Sequence, residues 1–139
     1  VIKNNFMKKE YLELIKKASA LAKAKRHNDS ITSGYVGCAL LTDQGNTYTG
    51  VSIDADCAIG FCGEHSAIAQ MITAGEDRIK AIVAVADEKD ILPPCGRCRE
   101  LIYQTNYANL DTEVILSKDK TIPLGELLPY NWQNHSNKK

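Results

Sequence analysis

Residues 93–98 read Pro93-Pro94-Cys95-Gly96-Arg97-Cys98, and they follow the most apolar run of the chain, Ile79-Lys80-Ala81-Ile82-Val83-Ala84-Val85-Ala86. That run is apolar on both faces, which suits a strand at the centre of a sheet covered on both sides. The proline pair then breaks regular structure just before Cys95. Residues 96–107 can continue as a helix, so Cys95 stands where a loop enters it. Cys62-Gly63-Glu64 repeats the arrangement upstream. Residues 54–61 read as a loop, and residues 63–74 as a helix stopped by Gly75. A thiol at a helix N-terminus feels the positive end of the dipole. Its pKa falls, which favours the thiolate needed to bind a metal.

Outward from these clusters the pattern stays simple. Tyr11, Leu14, Ile15, Ala18, Leu21 and Ala22 recur at spacings of three and four, predicting a helix over residues 8–26. Residues 36–42 form a short apolar run fit for a buried strand. Asp43-Gln44-Gly45-Asn46 supplies turn chemistry, and residues 47–53 read as the returning strand. Residues 112–117 read as another strand. Lys118-Asp119-Lys120 is too short for a crossover helix, so a strand at 121–124 pairs antiparallel with the one before it. Residues 126–128 suit a last helical turn, and residues 133–139 a polar, frayed tail. The order α-β-β-α-β-α-β-β implies one mixed sheet of five strands with helices on it, in a single domain over residues 1–139.

Composition narrows the function classes. The chain has 139 residues, 44% hydrophobic and 24% charged, as in an ordinary globular domain. Lys plus Arg is 17 and Asp plus Glu is 17, so the formal net charge is zero. A duplex or tRNA binder carries a basic stripe. The nearest candidate, Lys16, Lys17, Lys23, Lys25 and Arg26, reads better as the solvated face and C-terminal end of the first helix. No nucleic-acid partner is expected. Residues 1–6 lead into no apolar signal region, and the run 81–86 is far too short to span a bilayer. Five cysteines, an odd number, argue against a secreted disulfide framework, so the expected compartment is the cytoplasm.

Three thiolates from Cys62, Cys95 and Cys98 would leave a fourth position open, as in a catalytic rather than a structural zinc site. Glu64, two residues past a ligand, can reach a water there without binding the metal. Other readings stand beside this one. Cys-x-x-Cys alone suits a redox pair or half of a zinc ribbon, and Cys57 can join the other three in a structural four-cysteine zinc, the mark of a non-catalytic binding module. Cys38 lies in an apolar strand and reads as a small core residue.

Cys-x-Glu followed about thirty residues later by Pro-Cys-x-x-Cys matches the zinc deaminase signature. The sequence resembles the cytidine deaminase family, especially its blasticidin S deaminase branch. Val36-Gly37-Cys38-Ala39-Leu40 resembles the family's first strand, and Thr49-Gly50-Val51 the end of its second. Pro94-Cys95-Gly96-Arg97-Cys98-Arg99-Glu100 is similar to Pro-Cys-Gly-x-Cys-Arg-Gln. Glu126-Leu127-Leu128-Pro129 followed by aromatics resembles the usual ending. The resemblance implies a cytidine-deaminase-like three-layer α/β/α sandwich, one Zn2+ and a homotetramer. It further implies a small-molecule cytosine nucleoside as substrate (cytidine, deoxycytidine or a modified one such as blasticidin S). The first Cys ligand and the final antiparallel hairpin resemble the free-nucleoside enzymes more than the nucleic-acid editors, which remain the third reading.

The same resemblance assigns roles. Under it Glu64 moves the protons and Tyr130 or Trp132 closes the pocket across a subunit boundary, while the spare first-turn donors of a helix let N–H groups around Gly63 and Glu64 hold the ring carbonyl. Family members carry Asn-x-Glu after the second strand to grip the ribose. This chain has Ser52-Ile53-Asp54, of which Ser52 and Asp54 are the candidates for that task. Zinc at +2 with three thiolates leaves the centre at net −1. His65, Arg97 and Arg99 are candidates to balance it.

Overall fold

The computed structural model describes residues 7–135, and the expectations for residues 1–6 and for the tail beyond His135 lie outside them. Alternation in the central strands decides the layering. Helix α1 (Lys9–Leu21) presents Tyr11, Leu14, Ile15 and Ala18 to one face of the sheet. There it meets Ala39 and Leu41 of β2 (Ile31–Thr42) and Ala81, Val83 and Val85 of β4 (Ile79–Ala86). The intervening residues Cys38, Leu40 and Ile82 point the other way. They pack under α2 (Gly63–Thr73) and α3 (Gly96–Thr105) through Ala67, Ile68, Met71 and Ile102. Each fully buried Leu or Ile in these two cores stabilises the fold by about 1.5–3 kcal/mol. The outcome is helix, sheet, helices in three layers.

The sheet is mixed. Its central path runs β1 (Lys25–Arg26), β2, β4, β6 (Glu113–Ser117), β7 (Lys120–Pro123). Strand β3 (Thr47–Ala55) pairs with β2, and β5 (Asp90–Leu92) with β4. Among the described residues only β4 and β6 run parallel, and β6 and β7 form the expected antiparallel hairpin. A short helix α4 (Leu124–Leu127) follows β7. At Gly50 of β3 an added Cβ would sit 2.4 Å from the Ala67 nitrogen, so α2 lies directly on the strand backbone. Ser66 Oγ reinforces the contact by donating to the Val51 carbonyl at 2.8 Å.

Several expected boundaries move. The first helix ends at Leu21 rather than continuing to Arg26. The Lys23 N–H turns back to the Leu21 carbonyl at 2.8 Å, and Lys25–Arg26 becomes an edge strand on β2. Asn28 causes this: its Oδ1 accepts the N–H groups of Ser30 and Ile31, closing a turn that starts β2 five residues earlier than the apolar run suggests. Lys23, Lys25 and Arg26 are therefore not helix-terminal cations. The loop expected over 54–61 holds the end of β3, a 3-10 turn at Asp56–Ala58 and an Ile53–Phe61 bridge. Helix α3 stops at Thr105, and a 3-10 turn at Tyr107–Asp111 follows. Among the described residues seven strands replace the five expected, because β1 and β5 are too short to leave a period-two pattern in the sequence.

Candidate metal centre and active site

Two helices begin at the same end of the sheet. Cys62 precedes α2 with φ −69 and ψ 158, and Cys95 precedes α3 with φ −66 and ψ 167. Both are extended residues at a helix start, so their side chains lie beside free first-turn N–H groups. Cys98 belongs to the first turn of α3 and is fully buried. The three Sγ atoms lie within 4.8 Å of one another, with Cys62 to Cys95 at 3.6 Å and Cys95 to Cys98 at 3.4 Å. Cys57 is exposed and stands outside this group, which does not favour the four-cysteine reading. Cys38 is buried in the core, as expected.

The three thiols push one another's ionisation in different directions. Burial pushes the Cys98 thiol far up, with the charge of Glu64 and the neighbouring sulfurs adding to it. Burial and the Cys95 thiol also raise Cys62. For Cys95 burial acts upward, but the N–H groups of Cys98 and Arg97 and the two neighbouring thiols outweigh it, so its pKa falls. Three sulfur donors crowded within 4.8 Å suit a Zn2+ ion, which binds Cys as thiolate. The donor set fits the metal.

Glu64 is 4% exposed and lies in the first turn of α2. Burial raises its pKa, against the pull of its own N–H and of the Cys98 thiol. It lines a cleft of about 540 Å³ together with Cys62, Cys95, Ser52 and Asp54. Arg97 lines the same cleft, and Tyr35, Phe61, Leu92 and Pro93 form its apolar side. Ser52 accepts the Val36 N–H on its hydroxyl at 3.0 Å. Asp54 is exposed at the end of β3. Gly63 is buried at the start of α2, close under Val36 and Cys38. Tyr130 and Trp132 do not line this cleft: they are 86% and 69% exposed, and the Trp132 N–H donates to Glu100 Oε1 at 2.8 Å.

Of the three residues considered for balancing charge, only Arg97 faces the cleft. Burial and then Arg97 lower the His65 pKa, favouring the neutral ring, and its Nε2 has no hydrogen-bond partner among the described residues. Arg99 instead ties the site together. Its Nε donates to the Pro94 carbonyl at 2.8 Å and its Nη1 to the Leu127 carbonyl at 3.0 Å. Sequence reasoning missed this clamp, the apolar wall and Asn109. The last is a fully buried amide that takes the Ile79 N–H and Arg78 Nη1 on its Oδ1, both at 2.9 Å. Asn106-x-x-Asn109 just past a helix was a readable turn signal.

A sequence profile described as the cytidine and deoxycytidylate deaminase zinc-binding region matches residues 8–112. The chain belongs to this family. It is 35% identical over 99 residues to the cytidine deaminase of Halalkalibacterium halodurans, covering 68% of this chain and 74% of that one. Against the Blasticidin-S deaminase of Bacillus cereus it is 36% identical over 83 residues, 53% of this chain and 58% of the other. The crystal structure of cytidine deaminase from Mycobacterium tuberculosis shares the fold with a TM-score of 0.75, at 24% identity and coverage of 90% and 98%. Membership of the cytidine deaminase family makes the chain a hydrolytic deaminase whose cofactor is Zn2+. No helix among the described residues is long and apolar enough to cross a membrane.

Proposed function

We propose that this chain converts a free cytosine nucleoside to its uracil counterpart and ammonia, as a single domain acting in a cytoplasmic homotetramer. The convergence of three thiols with a buried Glu64 at one cleft carries the reading. Cys62, Cys95 and Cys98 hold the zinc. The bound metal supplies a Lewis acid that makes a water acidic enough to attack at neutral pH. Glu64 takes a proton from the attacking water, delivers it to the ring nitrogen, and carries the second to the leaving amine. The shielded carboxyl is well placed to hold a proton between those steps. First-turn N–H groups at Gly63 and Glu64 receive the ring carbonyl. Ser52 and Asp54 border the part of the substrate beyond the ring. Tyr130 and Trp132, exposed here, close a neighbouring subunit's cleft.

Zero net charge provides no field for gathering phosphates, which supports a free rather than polymeric substrate. The test is direct. Zinc-loaded protein is incubated with cytidine, deoxycytidine, cytosine and blasticidin S while the cytosine absorbance is followed, and with single-stranded DNA and tRNA in a gel-shift assay. Loss of absorbance with one or more of the small molecules, and no shift at physiological salt, is the expected result. Inertness toward every cytosine compound would return the chain to the binding-module reading. Tight, salt-sensitive RNA binding would return it to the editing class.

A further inference from the structure

The segment after α4 turns its side chains alternately into the protein and out of it. Leu127 and Leu128 pack against the core beneath α2 and α3. Pro129 has no N–H with which to continue the helix. Asn131 is buried, whereas Tyr130 before it and Trp132 after it stand in solvent. Two neighbouring residues of α3 grip the backbone of this segment at its two ends. Arg99 Nη1 donates to the Leu127 carbonyl at 3.0 Å, and Glu100 Oε1 accepts the Trp132 N–H at 2.8 Å. The other Glu100 oxygen accepts Gln104 Nε2 at 3.2 Å, one turn along the helix, which fixes the direction of the carboxylate. Trp132 opens a 3-10 turn over Trp132–His135, and the first N–H groups of a helical turn find no acceptor within it. Glu100 supplies that acceptor.

The anchoring helix is the one that starts behind Cys95 and carries Cys98 in its first turn. Glu100 itself does not line the metal cleft, so its effect on a substrate passes through the segment it holds. That segment has a fixed backbone and a bare indole. A large side chain with an apolar body and a polar N–H is favoured where a second surface covers it. A group ordered before it binds also loses less freedom on binding.

We propose that Glu100 is a positioning residue that presents Trp132 to the substrate cleft of a second copy of this chain. The proposal rests on the reading above, in which the C-terminal aromatics close a neighbouring subunit's cleft. Glu100 acts on substrate binding rather than on the chemical step, because it removes in advance the freedom that Trp132 would lose on closing the cleft.

Trp132 is the only tryptophan in the sequence, so its fluorescence reports on this segment alone. The test compares zinc-loaded wild type, Glu100→Gln, Glu100→Ala, Trp132→Ala and the double variant Glu100→Ala/Trp132→Ala. It measures KM and kcat on the best cytosine substrate, zinc content and, where Trp132 is present, fluorescence anisotropy and acrylamide quenching. Glu100→Ala is expected to lower the anisotropy and to raise KM by about two- to tenfold, as for one side chain that must be ordered on binding, with kcat and zinc content little changed. Glu100→Gln keeps an oxygen acceptor and should keep anisotropy and KM near wild type. Adding Glu100→Ala to Trp132→Ala should raise KM no further, since both act through one contact. A wild-type KM in Glu100→Ala or in Trp132→Ala, additive effects in the double variant, or zinc lost from Glu100→Ala would each overturn the proposal while leaving the deaminase reading intact. A wild type inert toward all cytosine compounds would take both down.

Discussion

Cys62 Sγ and Cys95 Sγ lie 3.6 Å apart although 33 residue positions separate them in the chain. The two strand-to-helix turns supply that closeness, and Cys98 completes the group from the next position facing it on α3. Cys95→Ser or Cys98→Ser should therefore lose zinc and activity together, and Cys57→Ser should keep both. Metal content after dialysis decides it. A Cys57→Ser protein without zinc would restore Cys57 to the ligand set.

Proton transfer separates from metal binding. Glu64→Gln keeps the shape of the side chain and should keep full zinc content, yet turnover should fall by about a hundred to ten-thousand-fold. Near-normal deamination by this variant would remove Glu64 from the mechanism.

Arg99 holds the loop before Cys95 to the end of α4 through two carbonyls. Its replacement by Ala should cost about 1–3 kcal/mol of stability, the usual loss when charged hydrogen bonds are removed. Zinc affinity should fall as well, because Pro94 directly precedes Cys95, one of the three proposed ligands. Urea unfolding and competition with a chelator measure the two effects. Lysine can reach only one carbonyl at a time, so Arg99→Lys should recover part of the loss.

At the far end of the sheet Glu76 is held below the usual carboxylate range. Hydrogen bonding from Thr42 and Tyr48 does this against the effect of burial, with Asn46 adding to it. A depressed folded pKa contributes stability that is fully present above the unfolded value and is lost as pH falls through the folded one. The acid limb of the stability curve, measured by urea midpoints from about pH 7 down to about pH 3, should be shallower in Glu76→Gln. An unchanged acid limb would show that other carboxylates dominate it.

The exposed C-terminal aromatics give a separable outcome. Removing residues from Tyr130 onward should leave zinc bound and weaken substrate binding by about 1–2 kcal/mol, the size of one lost stack. Sedimentation of the two forms shows whether the same segment also holds subunits together. Unchanged affinity would leave Trp132 as surface packing.

The sequence was most legible where signals were local. The start of α2 and the whole of β4 are found where Cys62 and the apolar run placed them, because turn chemistry and hydropathy mark both. That the three thiols converge was legible for the same reason, since two of them sit one helical turn apart and two open helices. What depended on pairing register was not. A bulge in β2 between Ser33 and Gly37 exists only because β2 and β3 align around it, and no periodicity in one strand announces that. Lys25 and Arg26 failed similarly, since the helical pattern runs on through Ala22 while Asn28 draws the chain into a hairpin. Arg99 reads as a helix-surface cation until the distant Leu127 carbonyl is seen beside it.

The spacing that suits three thiolates to one cation also makes them neighbours for oxidation. Cys95 is within 3.6 Å of Cys62 and 3.4 Å of Cys98, and the N–H groups and thiols around it lower its pKa against burial. With oxygen as oxidant, any pair of the three thiols could close as a disulfide, and each such disulfide would bar the metal until a reductant opened it. Cys38, sealed in the core with its thiol held protonated, takes no part. Zinc held by these thiols would then guard them against oxidation as well as serve as cofactor, and the active share of a preparation is expected to track metal loading before oxidant exposure.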